Sequence, residues 1–337
     1  MAVAFVLGMA ALVLIAIAAV VVWGYREDLS SARAAARQGA RLVDTAFGPI
    51  EYAEAGKGAP LLAIHGAGGG WDQGLALAQA FVGEGFRIIA PSRFGYLRTP
   101  APHDVSPAAQ ADAHADLLDA LGAPKAIVFG FSAGARSAIE LAIRHPERVS
   151  RLVLIVPAAA SPGALVSVDE SRGSRLALRF VTSGADFAWW AAAKLAPVTL
   201  LRFLGVPPAT VARAPRDEHD RALKMVASIE PLSLRFPGVV VDSDQTIDDA
   251  PLERVAAPTL IVSARDDLFK TAGAASYAAR RILGAKLILY DDGGHLLLGR
   301  LEEARAAVRA FLVEPATARA SRSCKPSPPR VDAGETS

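Results

Sequence analysis

The chain holds a single cysteine, Cys324, in 337 residues. One thiol cannot close an internal disulfide, and with no second cysteine nearby it offers neither a zinc ligand set nor a redox pair. An excess of either charge is also missing: 36 Lys and Arg face 34 Asp and Glu, a formal net charge of +2. The arginines are scattered among alanines, so no basic stripe exists for a phosphate backbone, and nucleic acid is not expected as a partner. Charged residues make up only 21% against 52% hydrophobic. That balance buries a core rather than staying disordered, and the length suits one large domain or two small ones.

Charge is missing altogether from Ala2 to Trp23, a run of Ala, Val, Leu, Ile, Phe, Met and Trp with one Gly. As a helix rising about 1.5 Å per residue it reaches roughly 33 Å, against a hydrocarbon core of about 30 Å. Trp23 and Tyr25 close the run, where amphipathic rings suit the membrane interface. A cleaved signal peptide would have a basic start and a shorter apolar stretch. Neither is present, so residues 1–25 are expected to be a retained single-pass anchor, with residues 2–23 in the membrane. A buried core helix of this length would show a polar face. Arg26, Arg33, Arg37 and Arg41 follow the run and nothing basic precedes it; the positive-inside rule then leans towards a catalytic domain on the cytoplasmic side.

After residues 26–39, expected to be a short amphipathic helix or a connector, the chain alternates strand-like and helix-like stretches. This is the pattern of an α/β domain with a largely parallel sheet, here spanning 40–314. Expected strands are Arg41–Phe47 and Ile50–Glu54, a hairpin around Gly48-Pro49, then Leu61–Ile64, Arg87–Ala90, Lys125–Phe129, Leu152–Val156, Thr259–Val262 and Lys286–Tyr290. Helical spacing marks Pro107–Leu121, Ala133–Arg144, Ala272–Leu283 and Leu301–Leu312. From about 158 to 257 the alternation breaks. The apolar stretches around Trp189-Trp190, Leu200-Leu201 and Met225-Val226 point to a helical lid rather than a structureless loop. Residues 315–337, rich in Pro, Ser, Ala and Arg, read as a disordered tail.

Gly130-Phe131-Ser132-Ala133-Gly134 matches G-x-S-x-G, with an apolar strand before it and a helix after it. A nucleophilic serine needs a sharp strand-to-helix turn that lifts its hydroxyl off the sheet, and small neighbours let the backbone make that turn. Acyl transfer also needs two N–H donors at the developing oxyanion. Ala133 supplies one, and the glycine-rich loop His65-Gly66-Ala67-Gly68-Gly69-Gly70 supplies the other, most simply from Ala67. That loop lacks the Lys-Ser/Thr ending of a P-loop. Two adjacent carboxylates, Asp266 and Asp267, follow an apolar strand; Asp267 is the choice for orienting the base, with Asp266 as the alternative. His295 stands on a loop after the last strand, in the order Ser, Asp, His. His103, His114, His145 and His219 lie in polar loops or on helix faces, where surface roles are expected.

These motifs, spread from about Arg41 to Leu312, resemble the α/β-hydrolase superfamily, above all its lidded group of esterases, lipases and cofactor-free C–C bond hydrolases. The resemblance implies an eight-stranded, mostly parallel sheet flanked by helices, a helical lid forming part of the pocket, and Ser132 as nucleophile. It disfavours dehalogenases and epoxide hydrolases, which carry an aspartate where this chain has Ser132. Ala90-Pro-Ser-Arg-Phe-Gly-Tyr departs from the commoner Asp-Arg form at that place. The expected activity is hydrolysis of a small hydrophobic carboxylic ester, with no metal or cofactor implied. The ester rests on the anchor and on lid residues Trp189 and Trp190. C–C bond hydrolysis with the same three residues, or a membrane-tethered protein that binds without turnover, are the alternatives.

Overall fold

A computed structural model describes residues 2–159, 186–245 and 250–314. Its eight strands are β1 (Arg41–Thr45), β2 (Gly48–Ala55), β3 (Ala59–Ile64), β4 (Phe86–Pro91), β5 (Ala126–Phe131), β6 (Val149–Ile155), β7 (Thr259–Ala264) and β8 (Lys286–Tyr290). They form one sheet in the order β1-β2-β4-β3-β5-β6-β7-β8. β2 runs antiparallel to both its neighbours and every other pairing is parallel. Each of the eight strands expected from the sequence is present.

The central strands are continuous apolar runs because both faces of a parallel sheet are covered. Alternate residues therefore feed two separate cores. Leu61, Ala63, Phe129, Phe131, Val153 and Ile155 pack against α2 (Trp71–Phe81) and α11 (Leu301–Val313). Leu62, Ile64, Val128, Leu152 and Leu154 pack against α3 (Pro107–Ala120), α4 (Gly134–Arg144) and α10 (Thr271–Arg281).

Two local expectations need correcting. The hairpin turns at Ala46-Phe47 rather than Gly48-Pro49, with Thr45 paired to Gly48. Thr45 sets that register: its hydroxyl donates to the Gly48 carbonyl at 2.8 Å and accepts the Phe47 N–H at 3.1 Å. Helix α2 has no counterpart in the sequence reading. Gly74 within it weakens the helical signal, but a Cβ there would lie 2.7 Å from the Ala63 carbonyl oxygen, so the helix needs glycine to pack on β3.

Between β6 and β7 the insertion is helical where it is described, with α5 (Asp186–Leu195), α6 (Pro197–Phe203), α7 (Pro208–Arg213), α8 (Arg216–Ser228) and α9 (Phe236–Asp244). Leu201, Val206, Ala222, Val226 and Leu232 join the core that contains Phe131 and Leu296–Leu298. The proposed tail, 315–337, lies outside the described residues.

Helix α1 runs unbroken from Ala2 to Ala35, so the connector continues the apolar run instead of starting a new element. Its apolar window is uncovered by the rest of the protein. By length and composition it is a candidate membrane span, a test that a signal sequence also passes. Beyond that window α1 docks on the lid. The Tyr25 ring meets Phe187 and Trp190 edge-on, at centroid distances of 5.1 and 5.5 Å. The Trp190 indole donates to Asp28 at 2.8 Å.

Candidate active site

Ser132 sits between β5 and α4 with φ 50°, a left-handed conformation that costs a non-glycine residue roughly 1–3 kcal/mol. Its surroundings hold it there. The Ser132 N–H donates to the Ile155 carbonyl at 3.0 Å, and its carbonyl accepts the N–H groups of Ala135 and Ala158, each at 3.0 Å. The flanking glycines are steric necessities. A Cβ on Gly130 would lie 2.8 Å from that of Ala138, and one on Gly134 would lie 2.4 Å from the His65 carbonyl oxygen.

The fold brings Ser132, His295 and Asp267 together from three loops. His295 Nε2 lies 2.8 Å from Ser132 Oγ, and its Nδ1 lies 2.8 Å from Asp267 Oδ2. All three side chains are buried. Asp267 also accepts the Phe269 N–H at 2.9 Å and the Thr271 hydroxyl. Burial pushes the Asp267 carboxyl up, but His295 and these donors outweigh it and hold the group below the usual carboxylate range. An ionised carboxylate only accepts. Nδ1 of His295 therefore carries its proton, which leaves Nε2 to accept the Ser132 hydroxyl. Phe131 and Phe269 stand edge-on to the imidazole, at 5.5 and 4.7 Å.

Asp266, the other carboxylate, faces away from the ring. It accepts the Gly294 N–H at 2.8 Å and the Thr210 hydroxyl at 2.7 Å. The lid reaches the same loops through Gly205, whose carbonyl accepts the N–H groups of both Leu268 and His295 at 3.1 Å.

The glycine loop passes against the serine: a Cβ on Gly66 would lie 3.1 Å from Ser132 Cβ. Three of its amides are engaged. Gly66 N–H donates to Gln73 at 3.0 Å, Gly68 N–H to the Tyr96 hydroxyl at 3.2 Å, and Gly69 N–H to the Gly66 carbonyl at 3.3 Å. Among the described residues the N–H groups of Ala67 and Ala133 have no acceptor. Ala133 also precedes α4, whose N-terminal dipole end favours an anion.

His65 is structural. Its Nδ1 donates to the Gly66 carbonyl at 2.7 Å and its Nε2 accepts the Arg93 N–H at 3.0 Å. Burial, reinforced by the Arg93 charge, pushes its pKa well below the ordinary imidazole value, so it is neutral. His103 is exposed, His145 and His219 are half-buried, and His145 lies 2.7 Å from Asp112. His114 corrects the sequence reading: it is fully buried. On the alanine-rich α3 it shares a face with Gln110, Ala111, Leu117 and Leu118, and short alanines hide which side of such a helix is core. Trp189 and Trp190 are also placed otherwise than the substrate argument assumes. Trp189 is buried in the lid, its indole donating to the Val226 carbonyl at 3.2 Å, and Trp190 faces α1.

Sequence reading missed a second layer around the loop. Arg93 donates through both terminal nitrogens to Asp242 of the lid, at 2.6 and 2.7 Å, and Tyr96 donates to the same carboxylate at 2.6 Å. Arg235 of the lid pairs with Asp72 at 3.0 and 2.6 Å. The departure at Ser92-Arg93-Phe94-Gly95-Tyr96 was the one visible signal. Asp242 and Arg235 have none, since their partners lie far off in sequence. Among the described residues no group of three His, Cys, Asp or Glu is arranged to hold a metal ion.

Residues 59–299 match the family model of the alpha/beta hydrolase fold. The chain belongs to the α/β-hydrolase superfamily. It is 30% identical to 2-hydroxymuconate semialdehyde hydrolase of Pseudomonas putida, over 77% of this chain and 89% of that protein. It is 32% identical to the pimeloyl-[acyl-carrier protein] methyl ester esterase of Aromatoleum aromaticum, over 70% and 90%. Among solved structures, an alpha/beta hydrolase fold protein from Nakamurella multipartita is 29% identical with a TM-score of 0.61, covering 81% of this chain and 98% of that one. The protein is thus an enzyme of the α/β-hydrolase class.

Proposed function

We propose that this α/β-hydrolase is a serine hydrolase of hydrophobic carboxylic esters, working beside a membrane. The observation that carries the reading is the hydrogen-bonded chain from Ser132 through His295 to Asp267. His295 Nε2 takes the Ser132 proton as Oγ attacks the ester carbonyl, and Asp267 stabilises the imidazolium. The N–H groups of Ala67 and Ala133 receive the oxyanion. His295 then protonates the departing alkoxide, leaving an acyl-serine. A water molecule deprotonated by His295 attacks that acyl group, and the collapse returns the proton to Ser132 and frees the acid.

With Trp189 and Trp190 engaged inside the protein, the hydrophobic preference rests on α1. Residues 1–25 would anchor the enzyme, residues 26–39 would connect it, and residues 158–257 would form a lid held beside the bilayer. The arginines after the span favour a cytoplasmic catalytic domain. Relatives named for 2-hydroxymuconate semialdehyde favour a second reading, C–C bond hydrolysis with the same three side chains.

The test is to treat the full chain in detergent micelles with a fluorophosphonate probe and medium-chain nitrophenyl esters, beside Ser132→Ala. Labelling and turnover that both vanish in the variant are expected. Labelling without ester turnover would move the assignment to C–C hydrolysis. A folded wild type that resists the probe would sink the nucleophile and leave a tethered binding protein.

A further inference from the structure

The loop that carries Ala67 is tied from several sides, and two of its ties converge on one carboxylate in the lid. The first runs through Tyr96. Its hydroxyl accepts the Gly68 N–H at 3.2 Å and donates to Asp242 Oδ2 at 2.6 Å, which uses its single proton and one lone pair. The second runs through Arg93. Its backbone N–H and its Nε hold His65 Nε2 and the His65 carbonyl, each at 3.0 Å, while its two terminal nitrogens grip Asp242. Residues on both sides of Ala67 are therefore referred to a single anion on α9.

The lid approaches this point as closely as backbone can. A Cβ on Gly238 would lie 2.2 Å from the Tyr96 ring, and one on Gly95 would lie 2.8 Å from the Gly238 nitrogen. The Leu97 N–H donates to the Leu234 carbonyl at 2.9 Å. Tyr96 also stands edge-on to the His65 ring at 4.7 Å. Arg93, Tyr96 and Asp242 are all buried, so water cannot replace a lost partner easily.

We propose that Asp242 and Tyr96 are positioning residues for the oxyanion loop, so that the second oxyanion donor is aimed only while the base of the lid is seated. The proposal rests on the serine-hydrolase reading above. It assigns the lid a part in the chemical step, beyond shaping the pocket. Positioning of this kind acts on the transition state more than on bound substrate, so kcat falls while KM holds.

The test compares the full-length wild type with Tyr96→Phe and Asp242→Asn in detergent. Deuterium exchange over residues 65–70, kcat and KM for a nitrophenyl ester, and the inhibition constant of a trifluoromethyl ketone are read together. The ketone is a probe whose adduct with Ser132 places an oxyanion at the two N–H groups. Tyr96→Phe is expected to quicken exchange in the loop and to lower kcat about 10- to 100-fold, below the loss of a whole donor. KM should stay within about two-fold, and ketone affinity should fall in step with kcat. Asp242→Asn should act in the same direction, because one amide oxygen cannot accept from both Arg93 nitrogens and Tyr96, and the amide nitrogen only donates.

Unchanged loop exchange in both variants would overturn the proposal whatever the kinetics. So would a loss of kcat that tracks thermal stability while ketone affinity is kept, since that marks a merely structural ion pair. Failure of the underlying reading is visible separately, in a wild type that neither reacts with a fluorophosphonate nor binds the ketone, and it overturns the positioning role too.

Discussion

Asp266 accepts the N–H of Gly294 at 2.8 Å, one residue before His295, while its neighbour Asp267 holds the imidazole itself. Two adjacent carboxylates thus divide the work, one on the loop's backbone and one on the ring. Asp267→Asn should lower kcat by about 10³–10⁴, because an amide can favour the wrong imidazole tautomer. Asp266→Asn should cost less than about ten-fold, since its oxygen can still accept from Gly294 and its nitrogen can donate to Thr210. Steady-state kinetics of the two variants decide the matter. Equal losses would contradict the division.

Gly205 reaches His295 from the lid with no room to spare. It has φ 77°, and a Cβ would lie 2.6 Å from His295 Cβ and 2.8 Å from the Phe269 ring. Gly205→Ala must displace the His295 loop, and a shift near 1 Å can cost about 100-fold in rate. Left-handed strain adds about 1–3 kcal/mol of destabilisation. Activity should therefore drop far more than the melting temperature. A variant with full activity would show that the lid can slide here without moving the imidazole.

The strands and the four ordered motifs were legible because each is local: an apolar run for a strand, then a glycine-rich loop, a G-x-S-x-G turn, an acid after a strand and a histidine after the last one. Ser132, Asp267 and His295 could be grouped by order alone, and the structure brings them within hydrogen-bonding distance. What stayed hidden is non-local. Asp242 meets Arg93 and Tyr96 across about 150 residues, and nothing near any of them announces the pairing. Alanine-rich helices hid more, since an alanine face reads neither as core nor as surface, which is why His114 was misplaced. The lid tryptophans misled for the opposite reason: large apolar groups stand out in sequence whether they meet a substrate, their own helices or α1.

His65 and His114 are buried and neutral. Burial first, and the Arg93 charge second, lower both pKa values, that of His114 from 6.5 to about 3. The unfolded chain binds these protons more readily than the folded one, so stability is full above the unfolded value and is lost as pH falls towards the folded one. Each such group can withdraw at most about 1.4 kcal/mol per pH unit across that window. The melting temperature should start to fall below about pH 6.5, before the carboxylates titrate. His114→Leu should flatten this slope without changing kcat at neutral pH, because His114 lies outside the reacting chain. A slope identical to wild type between pH 6 and 4 would count against the assignment.

The C-terminal part of helix α1, with Ala36 just beyond it, belongs to the folded enzyme, although residues 3–23 are exposed. Leu29 and Ala36 are buried. The Trp71 indole donates to the Ala36 carbonyl at 3.1 Å, directly after the glycine loop. Lys194 and Trp190 of α5 both bond Asp28, at 2.9 and 2.8 Å. Arg33 meets Asp186 at 3.6 Å, and Asp186 in turn accepts the N–H and hydroxyl of Ser233 at 2.7 Å. Removing residues 1–22 should leave kcat and the melting temperature nearly unchanged. Removing residues 1–39 strips the buried Leu29 and Ala36, at roughly 1.5–3 kcal/mol for a buried Leu, and orphans a buried indole donor, at about 1–3 kcal/mol more. The longer deletion should therefore lower the melting temperature by several degrees and slow turnover, because Trp71 begins the helix directly after the glycine loop that passes against Ser132. Equal behaviour of the two truncations would mean that α1 is only a tether.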